Sequence, residues 1–212
     1  MCQSTWPTAA SESNINLYYL MQIILAENAL ALAKSTASET PKVTAAFHIG
    51  DHYEFYQAEA LRPTIYNYIV GQVTIELARL IEGAQPGQII VGDFETSLQS
   101  EQTDGQAATR FHTIDFIDEL QDGLAKLHGL TLAGECIEGI KCYLTGEAES
   151  DGLFGVTRYV VGDKHGLYRP AYNAKINIYR SQGEPVFLGL QEGSAASNTM
   201  RRDASIPTRK PH

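Results

Sequence analysis

The densest group of side chains that could bind an anion lies in residues 162–180. Its charged and amide-bearing members are Asp163, Lys164, His165, Arg169, Asn173 and Lys175. Lys and Arg side chains beside glycine-containing backbone can hold a phosphate or a nucleotide. The simpler interpretation, which we favour, is a polar hairpin loop followed by a strand whose Lys175, Asn177 and Tyr179 alternate toward solvent.

A second group, His48, Asp51 and His52, has the spacing H-x-x-D-H and could be drawn as a metal site. On a strand, however, His48 and Asp51 point to opposite faces, and no carboxylate-bearing helix of the H-E-x-x-H type accompanies them. We therefore interpret His48 as a packed or capping histidine. The sequence also lacks the P-loop, dinucleotide-binding and nucleophile-elbow motifs.

A helix with two distinct faces is predicted at the start of the segment GQVTIELARLIEGAQPGQIIVGDF, residues 71–94. At about 100° per residue, one arc of this helix carries the apolar side chains Val73, Leu77, Leu80 and Ile81. Gln72, Ile75 and Arg79 lie on the opposite arc, which should face water. Ile75 therefore either contacts another surface or is one of the scattered exposed apolar residues common in proteins.

The same segment resembles the motif GDTVNxAARLexxAxPGqIlVS of class III nucleotide cyclases, the adenylate and guanylate cyclases. The matching positions are Gly71, Ala78, Arg79, Leu80, Ala84 and the run from Pro86 to Val91. Upstream, AFHIG at 46–50 is similar to the family's GIHxG strand, and TWPTA at 5–9 is similar to its FPSA edge. The resemblance covers residues 5–100.

The resemblance implies a ferredoxin-like βαββαβ core that works as a dimer, either a homodimer or a pair with a cyclase-type partner domain. The family's reaction is an internal phosphoryl transfer in which the ribose 3′-OH of ATP or GTP attacks the α-phosphate and pyrophosphate leaves. Two divalent cations, Mg²⁺ or Mn²⁺, support that chemistry by lowering the pKa of the nucleophile and neutralising charge.

Three positions of this chain take family roles by the same resemblance. Arg79 matches the transition-state arginine, whose planar fork suits charge developing on phosphate oxygens. Gln72 falls on the residue that reads the purine edge, and its amide could still bond a base. Ile75 replaces the asparagine that orients the ribose, and its side chain can donate no hydrogen bond.

The family's metal-binding aspartates lie before its FPSA edge, and counting back from Trp6 places them just before Met1. We therefore expect no metal ligands and no cofactor in this chain. The chain is interpreted as a truncated or degenerate cyclase homologue, unable to cyclise a nucleotide alone. The alternative is a non-enzymatic regulatory or dimerisation module in which Ile75 forms an apolar contact.

Periodicity and turn residues predict alternating helices and strands in the first part of the chain, and the resemblance implies that they belong to an α+β cyclase-type core. With this resemblance the chain is expected to have three parts. Residues 1–100 would form the partial cyclase-like domain, with a helix at 14–38, strands at 42–50, 63–71 and 88–92, and the helix that starts at Gln72. A polar linker at 95–110 would lead to a β-rich accessory module at 111–190 with one helix near its start. Residues 191–212 would be a disordered tail.

Composition limits the possible partners and the location. A formal charge of −9 argues against nucleic-acid binding, which needs a basic surface. Cys2, Cys136 and Cys142 form no C-x-x-C pair, so a reducing, cytoplasmic setting is expected. The apolar run at 15–33 carries Asn, Gln and Glu residues, which argues against a membrane span.

Overall fold

A computed structural model describes residues 10–36, 42–58, 65–98, 109–123, 131–148 and 153–208. The chain is α+β, as predicted, with many strands and few helices. The helices of the described part are α1 (Ala10–Lys34), α2 (Gln72–Gly83), α3 (Thr113–Gly123) and α4 (Glu192–Ala195). Its strands are β1 (Ala45–Phe47), β2 (Tyr53–Ala58), β3 (Ile65–Val70), β4 (Ile89–Gly92), β5 (Glu95–Leu98), β6 (Thr109–His112), β7 (Thr131–Leu132), β8 (Glu135–Leu144), β9 (Gly146–Ala148), β10 (Phe154–Gly162), β11 (Tyr168–Arg180), β12 (Val186–Leu188) and β13 (Met200–Pro207).

Nine of these strands form one mixed sheet. Its main path is β1-β4-β11-β10-β13, with β8 and β12 on β11, β7 on β8, and β9 on β10. β1 and β4 are parallel, with Phe47 opposite Val91, and the other described pairs are antiparallel. The hairpins β2–β3 and β5–β6 form separate two-stranded sheets.

Helices cover both faces of this sheet. On one face, α1 and α3 pack on a large apolar core that contains Ile89 and Val91 of β4. On the other face, Leu80 of α2 packs on Ile90 in a smaller core. Successive β4 side chains thus point to opposite faces and anchor helices on both sides, as a buried strand requires.

Glycine fixes the entry into α2 and the turn after it. Gly71 precedes the helix at φ 155°, and a Cβ there would lie 2.8 Å from the carbonyl oxygen of Asp51. Gly87 has φ 81° in the turn between α2 and β4, a left-handed conformation that favours glycine. The predicted helix 72–83 and the strand after it are therefore confirmed, with Pro86 and Gly87 forming the turn.

Most of the other predicted elements are confirmed, although their ends differ. The predicted long helix begins and ends earlier, at Ala10 and Lys34, and the strand at 42–50 is shorter. Within the predicted β-rich segment, β11 and β12 form an antiparallel hairpin whose turn contains Gly183. Strand β2 was not predicted, and β5 and β6 lie at the two ends of the predicted linker.

Some predictions fall on residues outside the described part of the chain. These are the TWPTA landmark at 5–9, the centre of the linker at 99–108, the end of the predicted α3 helix at 124–129 and the last four residues. The ferredoxin-like core stays a prediction.

The prediction of a disordered tail is wrong for most of residues 191–208. Glu192 to Ala195 form α4, and β13 pairs along β10 from Gly155 to Val161. The tail lacks a hydrophobic period because Met200 is the one buried residue of β13 and five of its eight residues are exposed. The strand is held by its backbone pairing with β10. The sheet also contains strands from both sides of residue 100, since β4 pairs with β11.

Candidate functional site

The three positions that take family roles lie together on the outward face of α2. Gln72 and Ile75 are exposed and Arg79 is partly exposed, while Val73 and Leu80 on the opposite arc are buried. Ile75 keeps 50% of its surface in solvent. The two-faced helix is confirmed, except that Ile81 at the edge of the apolar arc is 40% exposed.

Arg79 is held by two carboxylates. Its Nη1 donates to Glu82 Oε2 at 2.7 Å, and its Nε lies 3.8 Å from Asp163 Oδ2. The hydrogen bond to Glu82 and the charge of Glu82 raise the pKa of Arg79. The same hydrogen bond and the charge of Arg79 lower the pKa of Glu82. One guanidinium nitrogen of Arg79 is therefore already hydrogen-bonded to a carboxylate, and a second carboxylate lies nearby.

Asp163 comes from the loop between β10 and β11, and its side chain is only 3% exposed. Its Oδ1 accepts hydrogen bonds from the backbone N–H groups of His165 at 2.8 Å and Leu167 at 3.0 Å. Its Oδ2 accepts one from Arg169 Nη1 at 2.9 Å. Burial alone would raise the pKa of Asp163, but these hydrogen bonds and the charge of Arg169 outweigh burial and lower it.

Glu76 connects this loop back to the start of the helix. Its Oε2 lies 2.7 Å from Arg169 Nε, and its Oε1 accepts a hydrogen bond of 2.5 Å from Gln72 Nε2. We call the six side chains of this network the α2–loop cluster. Its members are Gln72, Glu76, Arg79, Glu82, Asp163 and Arg169.

The α2–loop cluster joins two groups that the sequence predicted separately, the α2 face and the loop at 162–180. Three carboxylates face two guanidinium groups, so the formal charge of the cluster is −1 when every group is ionised. An added phosphate would have to displace a carboxylate from arginine. Glu82 is more than half exposed and could move away, whereas Asp163 is fixed by the loop backbone.

The predicted hairpin loop is confirmed by the antiparallel pairing of β10 with β11, and the side chains of its Asp163 and Arg169 are largely buried in their ion pair. The predicted exposure of the strand after the loop needs correction. Lys175 does not face solvent but is only 5% exposed. Strand β11 pairs on both sides at Ile176, with β8 and with β12, and this central position buries Lys175 and lowers its pKa by desolvation.

Comparison of the chain with protein-family models, with curated proteins and with solved structures finds no match.

The described residues offer no ligand set for Mg²⁺ or Mn²⁺, since they contain no group of three His, Cys, Asp or Glu side chains that could hold a metal ion. His48 packs edge-on against Phe94, with ring centroids 5.8 Å apart, and burial lowers its pKa. Asp51 and His52 lie in an exposed turn, and His52 Nε2 is 3.5 Å from Glu54. The H-x-x-D-H spacing thus does not bring its members to one point.

Sequence reasoning missed Glu76 and Glu82, the two carboxylates of α2 in the cluster. Glu76 is four positions after Gln72 and Glu82 is three after Arg79, spacings at which helical side chains meet. That signal was available. The sequence gives no such signal for the contact of these glutamates and Arg79 with Asp163 and Arg169, because that loop lies some 80 residues further along the chain.

Cys142 is a buried small side chain, and the hydroxyl of Tyr18 lies 3.3 Å from its Sγ. Burial raises the pKa of Cys142 to about 12, so its thiol is not a nucleophile near neutral pH.

In the parts of the chain that are described, no helix is long and apolar enough to span a membrane.

Proposed function

We propose that this chain is a nucleotide cyclase-like signalling protein that does not cyclise ATP or GTP by itself. The resemblance of residues 71–94 to class III cyclases supports the family assignment. A ferredoxin-like core belongs to the same proposal, and β1, α2 and β4 supply one strand–helix–strand unit for it. The cytoplasm and a cyclase-type partner are its expected setting.

The observation that carries this proposal is the state of Arg79. Its guanidinium lies against Glu82 and Asp163, and the neighbouring position on the same face is the exposed Ile75. A transition-state arginine must aim free N–H donors at the oxygens that gain charge. Here Nη1 donates to Glu82 and Nε lies 3.8 Å from Asp163, so carboxylates lie against two of the three guanidinium nitrogens, and Ile75 supplies no donor at the position that the resemblance assigns to the ribose.

Activity is tested with the purified chain, Mn²⁺ and either ATP or GTP, using mass spectrometry to detect cyclic nucleotide and pyrophosphate. We expect neither product above the protein-free blank, while a complete class III cyclase in the same buffer gives both. Formation of cyclic nucleotide by the chain alone would contradict the proposal.

The nucleotide site is tested separately by titration calorimetry with ATP. Glu82→Gln removes one carboxylate from Arg79 and should tighten ATP binding, since the guanidinium then has a free donor for phosphate. Arg79→Ala should abolish binding, and Glu54→Gln, in the β2–β3 hairpin, is the matched control. If none of these proteins binds ATP, the α2 face is not a nucleotide site.

A second candidate function is a non-enzymatic regulatory or dimerisation module, and the exposed apolar surface near Ile75 favours it. The β2–β3 hairpin leads directly into α2. Its exposed large side chains are Tyr53, Phe55, Tyr68, Ile69 and Val70. Apolar groups grouped in this way are typical of protein contacts.

Ile75→Asp is the test of this candidate. If the α2 face forms a protein contact, this substitution should weaken self-association measured by sedimentation velocity without changing the unfolding temperature. Thr74→Asp, on the neighbouring position of the same helix turn, is less suitable because Thr74 Oγ1 donates to the Gly71 carbonyl at 2.8 Å. Phe187→Asp, at an exposed apolar position on β12, is the better control. An oligomer that survives Ile75→Asp would exclude this face.

A further inference from the structure

Lys175 lies where one edge of β11 changes its partner strand. Strand β4 pairs with β11 as far as Ala174, and β12 pairs along the same edge from Ile176 onward. Lys175 falls between the two pairings and beside Gly189, where an added Cβ would lie 3.3 Å from the Lys175 Cα. The glycine therefore leaves the space next to Lys175 without a side chain.

Four other side chains share a face of the sheet with Lys175. Residues directly opposite each other in an antiparallel pair point to the same face, as do residues two apart along a strand. Tyr143 of β8 is opposite Lys175, and Asn177 is opposite both Lys141 of β8 and Phe187 of β12. We call Lys175, Tyr143, Asn177 and Phe187 the Lys175 site.

The Lys175 side chain is buried, but its amine has no partner. Lys175 is 5% exposed, and among the described residues none accepts a hydrogen bond from its amine or places a carboxylate within ion-pair distance. Two other largely buried cations, Arg169 and Arg180, each have a carboxylate within 3.5 Å. Desolvation without a compensating anion lowers the pKa of Lys175 and favours the neutral, nucleophilic amine.

The amine is nevertheless within reach of a small molecule. Its nitrogen is not one of the fully enclosed polar atoms that lack a partner, so it keeps contact with solvent. The side chain starts from a central strand whose neighbouring residues Ala174 and Ile176 are buried in the large core on the other face. A fixed backbone thus presents an unpaired amine at the surface.

Asn177 has an unpaired acceptor on the same face. Its Nδ2 donates to the Tyr143 hydroxyl at 3.5 Å, whereas its Oδ1 is buried and has no donor among the residues that the structure describes. A buried acceptor without a donor is unfavourable, so a ligand that brings a hydroxyl group to it gains a hydrogen bond.

We propose that Lys175 is a covalent binding site for an aldehyde that carries an apolar or aromatic group. The neutral amine attacks the carbonyl carbon, a C–N bond forms, and one amine proton passes to the carbonyl oxygen to give a carbinolamine. The hydroxyl group then leaves with the second amine proton as water, and a C=N bond joins the Lys175 nitrogen to the ligand. This condensation needs no oxidant or reductant.

The other members of the Lys175 site suit this ligand better than a carboxylate. A carbinolamine hydroxyl can donate to Asn177 Oδ1, but an ionised carboxylate has no proton to donate. The Tyr143 hydroxyl both donates and accepts, so it can carry the proton between nitrogen and oxygen. Phe187 is 61% exposed and offers its ring to the apolar part of the ligand. The Lys175 site shares no residue with the α2–loop cluster and does not depend on nucleotide chemistry.

Reductive trapping of the folded chain with benzaldehyde and sodium cyanoborohydride at pH 7 tests the proposal. Cyanoborohydride converts the imine to a stable benzylamine, and peptide mass spectrometry measures its amount at each lysine. We expect Lys175 to be modified at least about tenfold faster than Lys141, an exposed lysine on the same face, because the aldehyde is held beside the Lys175 amine. In urea this preference should disappear.

Variants test each role in the Lys175 site. Lys175→Met keeps a side chain of similar length and should abolish the fast labelling, whereas the matched control Lys141→Met should leave it unchanged. Tyr143→Phe should slow the labelling at least about tenfold without changing the unfolding temperature. Phe187→Ala should slow trapping of benzaldehyde about fivefold and leave trapping of acetaldehyde unchanged, since acetaldehyde has no ring.

Two results would overturn the proposal. One is equal labelling of Lys175 and Lys141 in the folded chain, which would mean that the buried amine has no special reactivity toward aldehydes. The other is a preference for Lys175 that persists in urea, or that Tyr143→Phe and Phe187→Ala both leave unchanged while circular dichroism shows that they are folded. Either form of the second result would assign the reactivity to the local sequence and not to the folded site.

Discussion

The side-chain amide of Gln88 donates to Asn173 Oδ1 at 3.1 Å, and both residues are fully buried. This bond joins β4 to β11 and crosses the predicted boundary between residues 1–100 and the β-rich module. Asn173 also donates to Thr145 Oγ1 at 3.1 Å and to the Leu190 carbonyl at 2.8 Å. One buried amide thus ties four chain segments together.

Asn173→Ala should destabilise the whole protein by about 2–4 kcal/mol, because it leaves buried polar groups without partners. The loss should appear in urea unfolding as one transition that is the same by tyrosine fluorescence, which reports the buried Tyr18, Tyr159 and Tyr172, and by far-ultraviolet circular dichroism. Asn198→Ala, at an exposed position, is the matched control. Two separate transitions, only one of them affected by Asn173→Ala, would mean that the two parts of the chain fold independently.

Gln22→Leu should stabilise the protein. Gln22 is fully buried on α1, and neither its Nε2 nor its Oε1 has a hydrogen-bond partner among the residues that the structure describes. Such a group costs about 1–3 kcal/mol of desolvation, which a side chain of similar volume without polar atoms avoids. The free energy of unfolding should therefore rise by a comparable amount.

Gln121→Leu is the control for Gln22→Leu, and we expect it to change stability in the opposite direction. Gln121 Oε1 accepts the Cys142 N–H at 2.7 Å, and its Nε2 donates to the Ile140 carbonyl at 3.2 Å. Removing this amide should lower the free energy of unfolding by about 1–2 kcal/mol. If both glutamines respond in the same direction, hydrogen bonding is not what distinguishes them.

Acid should remove the stabilisation that Asp163 provides. Its pKa in the folded protein lies below the ordinary 3.8, so the folded state favours the ionised carboxylate. The contribution is fully present above 3.8 and is lost as the pH falls through the folded pKa. Asp163→Asn should thus destabilise the protein at pH 7 and make its stability depend less on pH in the acid range.

Urea unfolding at neutral pH and at several acid pH values measures this effect. Asp51→Asn, in the exposed turn after β1, is the matched control. If the free energy of unfolding falls equally steeply with decreasing pH in Asp163→Asn and in the native protein, the ionisation of Asp163 is not linked to folding.

The thiols should differ in reactivity. Cys136 is exposed, whereas Cys142 is buried with its pKa raised to about 12. In a Cys2→Ser background, a thiol-specific reagent at pH 8 should label Cys136 quickly and Cys142 only at the rate of unfolding. Cys136→Ser should remove the fast phase alone, and fast labelling that persists in that variant would contradict the burial of Cys142.

Local patterns in the sequence were sufficient for α2 and the turn after it. Val73 and Leu80 follow the helical period, and Gly83, Pro86 and Gly87 mark the end of the helix and the turn. Local sequence patterns were insufficient to predict β13, because most side chains of this edge strand are exposed and it therefore has no apolar run. Strand β13 exists because β10 supplies its hydrogen bonds.

The candidate site divides in the same way. The sequence by itself placed Gln72, Ile75 and Arg79 on one face of a helix, because a period of 3.6 residues fixes which side chains share a face. Only the tertiary structure decided that Arg79 meets Asp163 and that Lys175 is buried. Those outcomes depend on which distant strands pair, and the β10–β11 pairing that brings Asp163 and Arg169 to α2 is not written in the local period of either segment.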